Sequence, residues 1–500
     1  MSRRLAFLAS FVLLLFAVIV GQASYVQFFH ASALDASPLN PGPSGYVASS
    51  DRGEIIAADG QILAQSVATH ASASPYQRIY PLGSLTAGEV GWVSLYHGLW
   101  GLEQQYNADL VPHNLAPANY AQVLSPLQGT DNVNLTLYPE LQRIAQVGLA
   151  GRDGAAVVLD PRTGSVLGLY SNPTFNPAPF TSTSGAVEAA AYAKGIAPDK
   201  DGFPPLGLVA LDQTFPPGST FKIVTTSAAE VYKPSLLTKY YPVASYTTLP
   251  GTTTLLHNDA NSYCGGTVVQ MLPASCDQGY ALLGLDLGAP SLAKMANAFG
   301  FNSRIPIDMP YEVASKFPPV SSFTYNLPFL AYSSIGQGNV QATALQMALV
   351  AAGVADGGSI MTPHLMASIV GPDGKIIQRY TPTQWLHPVT TSEANFTKSL
   401  MVGVVTNGTA SGVGFLPQDQ VGAKTGTAQV GNAAQNTNDW MIALAPASHP
   451  TVAVAVAVPY QANYDYGATV AGPIVKCLIE GALAIQNHQP STGTSTTCPA

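Results

Sequence analysis

A serine followed three residues later by a lysine, Ser219-Thr220-Phe221-Lys222, comes after the turn signal Phe215-Pro216-Pro217-Gly218 and leads into Ile223-Val224. A hydroxyl is a poor nucleophile at its own pKa and needs a base beside it. Positions i and i+3 of a helix are neighbours, so Lys222 can reach the Ser219 oxygen. Set among Phe221, Ile223 and Val224, that lysine is partly desolvated, which lowers its pKa and lets a neutral amine take a proton. The proline-glycine turn delivers the serine to a helix N-terminus, where free backbone amides suit a developing oxyanion. A second tetrad of the same spacing, Ser291-Leu292-Ala293-Lys294, lacks such a turn and reads as an ordinary amphipathic helix.

Far downstream, Lys424-Thr425-Gly426-Thr427 lies in a strand of small residues, Val421 to Gln429. Glycine within a strand marks a place where something approaches the backbone closely. Lys424 supplies positive charge there, and Thr425 and Thr427 supply hydroxyls for a carboxylate. Taken alone, a lysine on a strand edge is more simply a guard against edge pairing. Together with Ser219 and Lys222 in this order, it no longer reads as a mere edge guard.

The elements that position these residues come from a chain of 500 residues, enough for two or three domains. Only 10% of residues are charged, and the net charge of −8 leaves no basic stripe for nucleic acid. Leu5 to Gly21 is apolar and follows Arg3-Arg4, as in a single membrane anchor with an exported remainder. A cleaved signal peptide ending near Gly21-Gln22-Ala23 is the rival reading, and the length of the run favours the anchor. Val452 to Val458 is too short to span a bilayer and reads as a buried strand. Four cysteines permit disulfides, and the spacing leaves open whether Cys264 and Cys276 pair. His257, Cys264 and Cys276 match no zinc spacing, so neither metal nor cofactor is expected.

Asp51 to Ala64 reads as a hairpin around Asp59-Gly60. Strands are expected at 155–160, 165–170, 421–430, 440–445 and 451–458, with helices at 220–231, 342–353 and 474–485. Glu103, Asp109 and Glu140 look solvated or structural. Strands at both ends with helices between them predict one sheet assembled from distant segments, an α+β or αβα layered domain. The Ser/Thr/Pro-rich tail is expected to be disordered.

The two tetrads resemble those of class B penicillin-binding proteins, the monofunctional D,D-transpeptidases of bacterial cell-wall synthesis. Leu159 to Leu167, Ser171 to Pro177, Ile335-Gly336-Gln337-Gly338 with Thr343 to Ala348, and Trp440 to Pro446 carry the same likeness. Tyr96 to Glu103 is similar to the pedestal of actinobacterial-type members. The resemblance implies an α+β transpeptidase domain shared with serine β-lactamases, an antiparallel sheet with helices on both sides. It implies a tip and transmembrane anchor at 1–22, a smaller mixed pedestal at 23–150, the transpeptidase domain at 151–486 and a tail at 487–500.

The same resemblance implies that Ser219 attacks the D-Ala-D-Ala end of a stem peptide, and that β-lactams mimic that end. Lys222 is then the base, and the backbone amides of Ser219 and Thr427 form the oxyanion hole. Lys424, Thr425, Gly426 and Thr427 hold the substrate carboxylate. A polytopic glycosyltransferase is the kind of partner such an enzyme works with.

One departure stands out. The family's middle motif is usually Ser-x-Asn, and here it is Ser275-Cys276-Asp277. Ser275 can still relay a proton. An ionised aspartate accepts hydrogen bonds but cannot donate them, and near Lys222 it favours the charged lysine and weakens it as a base. A protonated Asp277 would imitate asparagine, and acylation would then rise toward acidic pH. Asp277 therefore keeps open a catalytically degenerate scaffold or β-lactam sensor, and the shared Ser219-Thr220-Phe221-Lys222 keeps open a class D-like serine β-lactamase.

Overall fold

A computed structural model describes residues 3–29, 48–69, 74–114, 128–431, 436–462 and 466–487. Of the tail expected at 487–500 only Asn487 lies within the described residues, and Cys498 lies outside them.

Five antiparallel strands form the central sheet, in the order Val166–Asn172, Gly154–Leu159, Val452–Gln461, Thr437–Ala445 and Gly422–Gln429. Two come from early in the chain and three from late, as the sequence predicted. The strand Val452–Gln461 shows why the sheet is covered on both faces. Successive side chains point to opposite faces, and here they alternate between alanine and valine. Ala453, Ala455 and Ala457 pack in one core with the helix Ala344–Ala355, all of whose residues are buried. Val452, Val454, Val456 and Val458 pack in the other with Ile474 and Leu478 of the helix Gly467–Gln486. Small residues on one face let an alanine-rich helix come close, while the larger valines fill the other side. A strand buried on both faces shows no apolar/polar alternation.

The last helix begins seven residues before its expected start and runs through Pro473. It is long and apolar enough to cross a bilayer, but it is mostly buried against the sheet and reads as a core helix. The 27-residue helix Arg3–Phe29 is different. Phe7, Phe11, Leu13, Leu14, Phe16 and Ile19 along it are all exposed. At about 1.5 Å per residue it is about 40 Å long, more than the roughly 30 Å of a hydrocarbon core.

A second sheet has the order Ile376–Arg379, Met366–Val370, Asn132–Leu135, Ile55–Ile56, Ile62–Ala68, Tyr76–Ile79. The Asp-Gly hairpin is present, with Ile55 opposite Ala64 and Ile56 opposite Ile62. Two of its strands, within 366–379, come from beyond the boundary expected at 150, so this sheet crosses it. Glu103 is structural. It is buried between Arg52 Nη2 at 2.8 Å and Arg78 Nε at 2.6 Å.

Glu89 has no counterpart among the sequence expectations. It is buried, Gln142 Nε2 donates to it at 3.2 Å, and burial pushes its carboxyl up to about 8. Between the ordinary carboxylate range and pH 8 the unfolded chain loses this proton and the folded chain keeps it. Stability therefore falls as pH rises through that window, by roughly 1.4 kcal/mol per unit at most. Glu89→Gln should flatten this dependence in denaturant titrations from pH 5 to pH 8. An unchanged slope would show that Glu89 ionises in the folded protein as it does in the unfolded chain.

Candidate active site

Ser219 sits in a 3-10 turn, Gly218–Phe221, from which the α-helix Lys222–Tyr232 continues. The expected helix is present, with a tighter first turn. In a 3-10 turn residues i and i+3 eclipse, so Ser219 and Lys222 lie on one side. Three contacts hold the turn. Gly218 N donates to Gly336 O at 3.0 Å, Trp440 Nε1 donates to Pro216 O at 3.0 Å, and Phe215 pairs with Ala342. Two glycines are required by close approach. A Cβ on Gly336 would lie 2.2 Å from Gly218 O, and one on Gly426 would lie 2.8 Å from Pro217 O. The second contact brings the edge strand Gly422–Gln429 against the serine turn.

The middle motif leads into the helix Asp277–Leu287. Ser275 has φ 53, a left-handed conformation that a non-glycine residue keeps only when its surroundings impose it. Its amide donates to Leu272 O at 3.0 Å, and that of Cys276 donates to Met271 O at 3.0 Å. Cys276 is also disulfide-bonded to Cys264, which settles the pairing left open by the sequence. Gln278 Nε2 donates to Cys264 O and Pro242 O at 2.8 Å each, and Gln278 N donates to Asn258 Oδ1 at 2.9 Å. Ser275 and Asp277 are thus tied to a small neighbouring substructure on either side of Cys276.

Five predicted side chains meet in one network. Lys222 Nζ donates to Asp277 Oδ1 at 2.7 Å, to Ser275 O at 2.7 Å and to Ser275 Oγ at 3.4 Å. Lys424 Nζ donates to Ser275 Oγ at 2.8 Å and to Thr425 O at 2.9 Å. Ser219 Oγ donates to Asp277 Oδ1 at 3.4 Å. Lys222 and Lys424 are both fully buried. Burial pushes the Lys222 amine below its ordinary value. The opposing effect expected of Asp277 is present, but burial outweighs it. Lys424 is held well below the ordinary lysine value, by burial first and by the Lys222 charge second.

Thr425 and Thr427 have protein partners. Thr425 Oγ1 lies 2.6 Å from Thr409 Oγ1, and Gly467 N donates to Thr427 Oγ1 at 3.1 Å. A hydroxyl that accepts one hydrogen bond still has its own proton to give. Ser291 and Lys294 belong to the helix Ala289–Ala298, where Lys294 Nζ lies over the Tyr232 ring at 4.9 Å, the structural role expected of them. Sequence reasoning missed Asp259. Desolvation and the Asp277 charge raise its pKa, against the pull of Lys222 and Lys424. It sits among turn residues, and no spacing links it to the tetrads.

The site depends on the geometry imposed around Cys276. Replacing both Cys264 and Cys276 by alanine should slow acylation by a fluorescent penicillin on the order of 10-fold to 100-fold, the scale on which small misplacements act. An unchanged second-order rate constant would show that backbone hydrogen bonds alone hold Ser275.

The sequence model of the family described as "Penicillin binding protein transpeptidase domain" matches residues 154–480. That for "Penicillin binding protein A dimerisation domain" matches residues 52–132. Peptidoglycan D,D-transpeptidase PbpA of Mycobacterium tuberculosis is 34% identical over 492 residues, which are 94% of this chain and 97% of that protein. PbpA of Mycolicibacterium smegmatis is 35% identical over 506 residues, 97% of this chain and 99% of that protein. The crystal structure of PBPA from M. tuberculosis superposes with a TM-score of 0.76 at 33% identity, covering 87% of this chain and 100% of that one. Its ceftriaxone acyl-enzyme complex superposes with a TM-score of 0.78 at 32% identity, covering 87% and 99%.

Proposed function

Since the chain belongs to the penicillin-binding protein transpeptidase family, we propose that Ser219 is the nucleophile of this peptidoglycan D,D-transpeptidase. The enzyme is serine-type and binds penicillins and peptidoglycan. One observation carries the assignment of residues. Ser219, Lys222, Ser275, Asp277 and Lys424, scattered along the chain, form one connected set of hydrogen bonds.

In this reading Ser219 Oγ attacks the carbonyl carbon between the two terminal D-alanines of a stem peptide. Lys222, Ser275 and Asp277 carry the proton it releases, and the terminal D-alanine departs with its amine protonated. An amine of a neighbouring stem peptide then attacks the ester and restores the serine. The backbone amides of Ser219 and Thr427 would stabilise the oxyanion, since preorganised donors act where charge develops. Lys424, Thr425, Gly426 and Thr427 would receive the substrate carboxylate. A carboxylate beside Lys424 favours the ammonium, so substrate would reverse part of the depression that burial imposes.

The proposal extends to the rest of the chain. Helix Arg3–Phe29 would be a single-pass anchor, with its basic end in the cytoplasm and the catalytic part outside. The stretch expected as a pedestal, 23–150, would carry out that role beyond the anchor, with residues 151–486 as the transpeptidase domain. A polytopic glycosyltransferase, which makes the strands to be cross-linked, would be the partner.

Intact-mass spectrometry after incubation with benzylpenicillin tests the assignment. One persistent adduct is expected on Ser219, and none on Ser219→Ala. An adduct that survives in the alanine variant would place the nucleophile elsewhere. Rapid turnover to penicilloic acid with no accumulated adduct would make the protein a β-lactamase.

A further inference from the structure

We propose that Asp277, rather than Lys222, takes the proton of Ser219 when the acyl-enzyme forms. The inference rests on the reading of Ser219 as nucleophile and concerns how that nucleophile is activated. Asp277 Oδ1 accepts from Lys222 Nζ at 2.7 Å and from Ser219 Oγ at 3.4 Å. One carboxylate oxygen therefore joins the nucleophile to the lysine. Among the described residues no hydrogen bond joins Lys222 Nζ to Ser219 Oγ directly.

The two candidates differ in the contacts they offer Ser219. An ammonium has three protons to give and no lone pair with which to accept one. Lys222 Nζ has three acceptors around it, Asp277 Oδ1, Ser275 O and Ser275 Oγ. As an ammonium it would give one proton to each of the three and keep no lone pair for Ser219. Asp277 is placed to be an anion. It opens the 11-residue helix Asp277–Leu287, whose N-terminal amides favour negative charge, and its partner is a buried lysine. The Ser219 contact is long, but catalytic hydrogen bonds are commonly long before substrate closes on them and tighten in the Michaelis complex.

The proton balance closes within these residues. As the Ser219 Oγ–carbon bond forms, the Ser219 proton passes to Asp277 Oδ1. Ser275 Oγ accepts from both lysines, so its own proton is available for the leaving nitrogen. When the carbon–nitrogen bond breaks, that nitrogen takes the Ser275 proton. Lys222 replaces the Ser275 proton across the 3.4 Å contact and recovers its own from Asp277 across the 2.7 Å contact. The net transfer is one proton from Ser219 to the leaving amine, and every other group returns to its starting state.

The titratable groups that interact with Asp277 are Lys222 on the helix that follows the serine turn, Lys424 on the edge strand, and Asp259 in the turn Asp259–Asn261. In a serine–lysine mechanism Asp277 only burdens Lys222, and an amide in its place would relieve that burden. The two schemes therefore differ in sign for the same substitution.

The test is the second-order rate constant for acylation by a chromogenic cephalosporin, from pH 4 to pH 9, in the parent, Asp277→Asn and Asp277→Glu. Thermal melts confirm folding of each. Removal of a general base costs on the order of 10²-fold to 10⁴-fold. Asp277→Asn should fall on that scale at neutral pH. The parent rate should decline on acidification, the opposite of what a protonated asparagine mimic requires. Asp277→Asn should lose this acid limb and accelerate toward alkaline pH, as a lysine base would. Asp277→Glu should keep the acid limb at a reduced rate. Acylation of Asp277→Asn as fast as the parent overturns the proposal, as does a slowed variant with the parent's acid limb. If the parent forms no adduct on Ser219, the site assignment fails with it; an adduct formed at undiminished rate by Asp277→Asn removes the proposal alone.

Discussion

Lys222 and Lys424 are both fully buried, and both donate to the hydroxyl of Ser275. Two ammonium groups so close, away from water, repel each other and lose their hydration. The rest of the site answers this constraint. Asp277 holds one lysine at 2.7 Å, and the other is pushed well below its ordinary pKa. A buried pair of this kind contributes little net stability, but removing one partner leaves an uncompensated charge, commonly at a cost of about 3–5 kcal/mol. The arrangement is therefore strongly specified even where it stabilises the fold little.

Specification on that scale needs rigid supports, and each comes from a different part of the chain. Ser275 holds a left-handed conformation between two backbone hydrogen bonds and beside the Cys264–Cys276 disulfide. The serine turn is held by Gly336 O and the Trp440 indole. Lys424 lies on an edge strand whose inner neighbours are buried on both faces. An exposed strand edge is ordinarily a liability. Here Gly426 lets the serine turn approach that edge.

Asp277 changes the character of this shared architecture. An asparagine at this point could donate as well as accept, whereas the carboxylate here accepts hydrogen bonds from both the lysine and the serine. The Asp259 carboxyl feels the charge of both lysines, although desolvation and Asp277 raise its pKa. The site thus sets two buried lysines, each with its pKa pushed down, against an aspartate that accepts from one of them.

Much of this protein is legible in its amino-acid sequence. The spacing of Ser219 and Lys222 after a proline-glycine turn, and the lysine-threonine-glycine strand, identify the nucleophile's neighbourhood because helix and strand periodicities are local properties. Uninterrupted apolar runs identify the buried strands, though their ends differ by a few residues, since end positions depend on partners. The 3-10 turn at Ser219 and the helix start at Gly467 are not legible, because tertiary contacts set both. Nor is the joining of strands 366–379 to the N-terminal sheet, a pairing between distant segments that leaves no periodic mark. The sequence by itself determined which groups are available: one serine at a turn, two lysines, and an aspartate where an amide is usual. Only the tertiary structure decided which of them touch. It buried both lysines and pointed Asp277 at Ser219 as well as at Lys222. Burial and distance, which set pKa values and proton routes, arise when remote segments pack together.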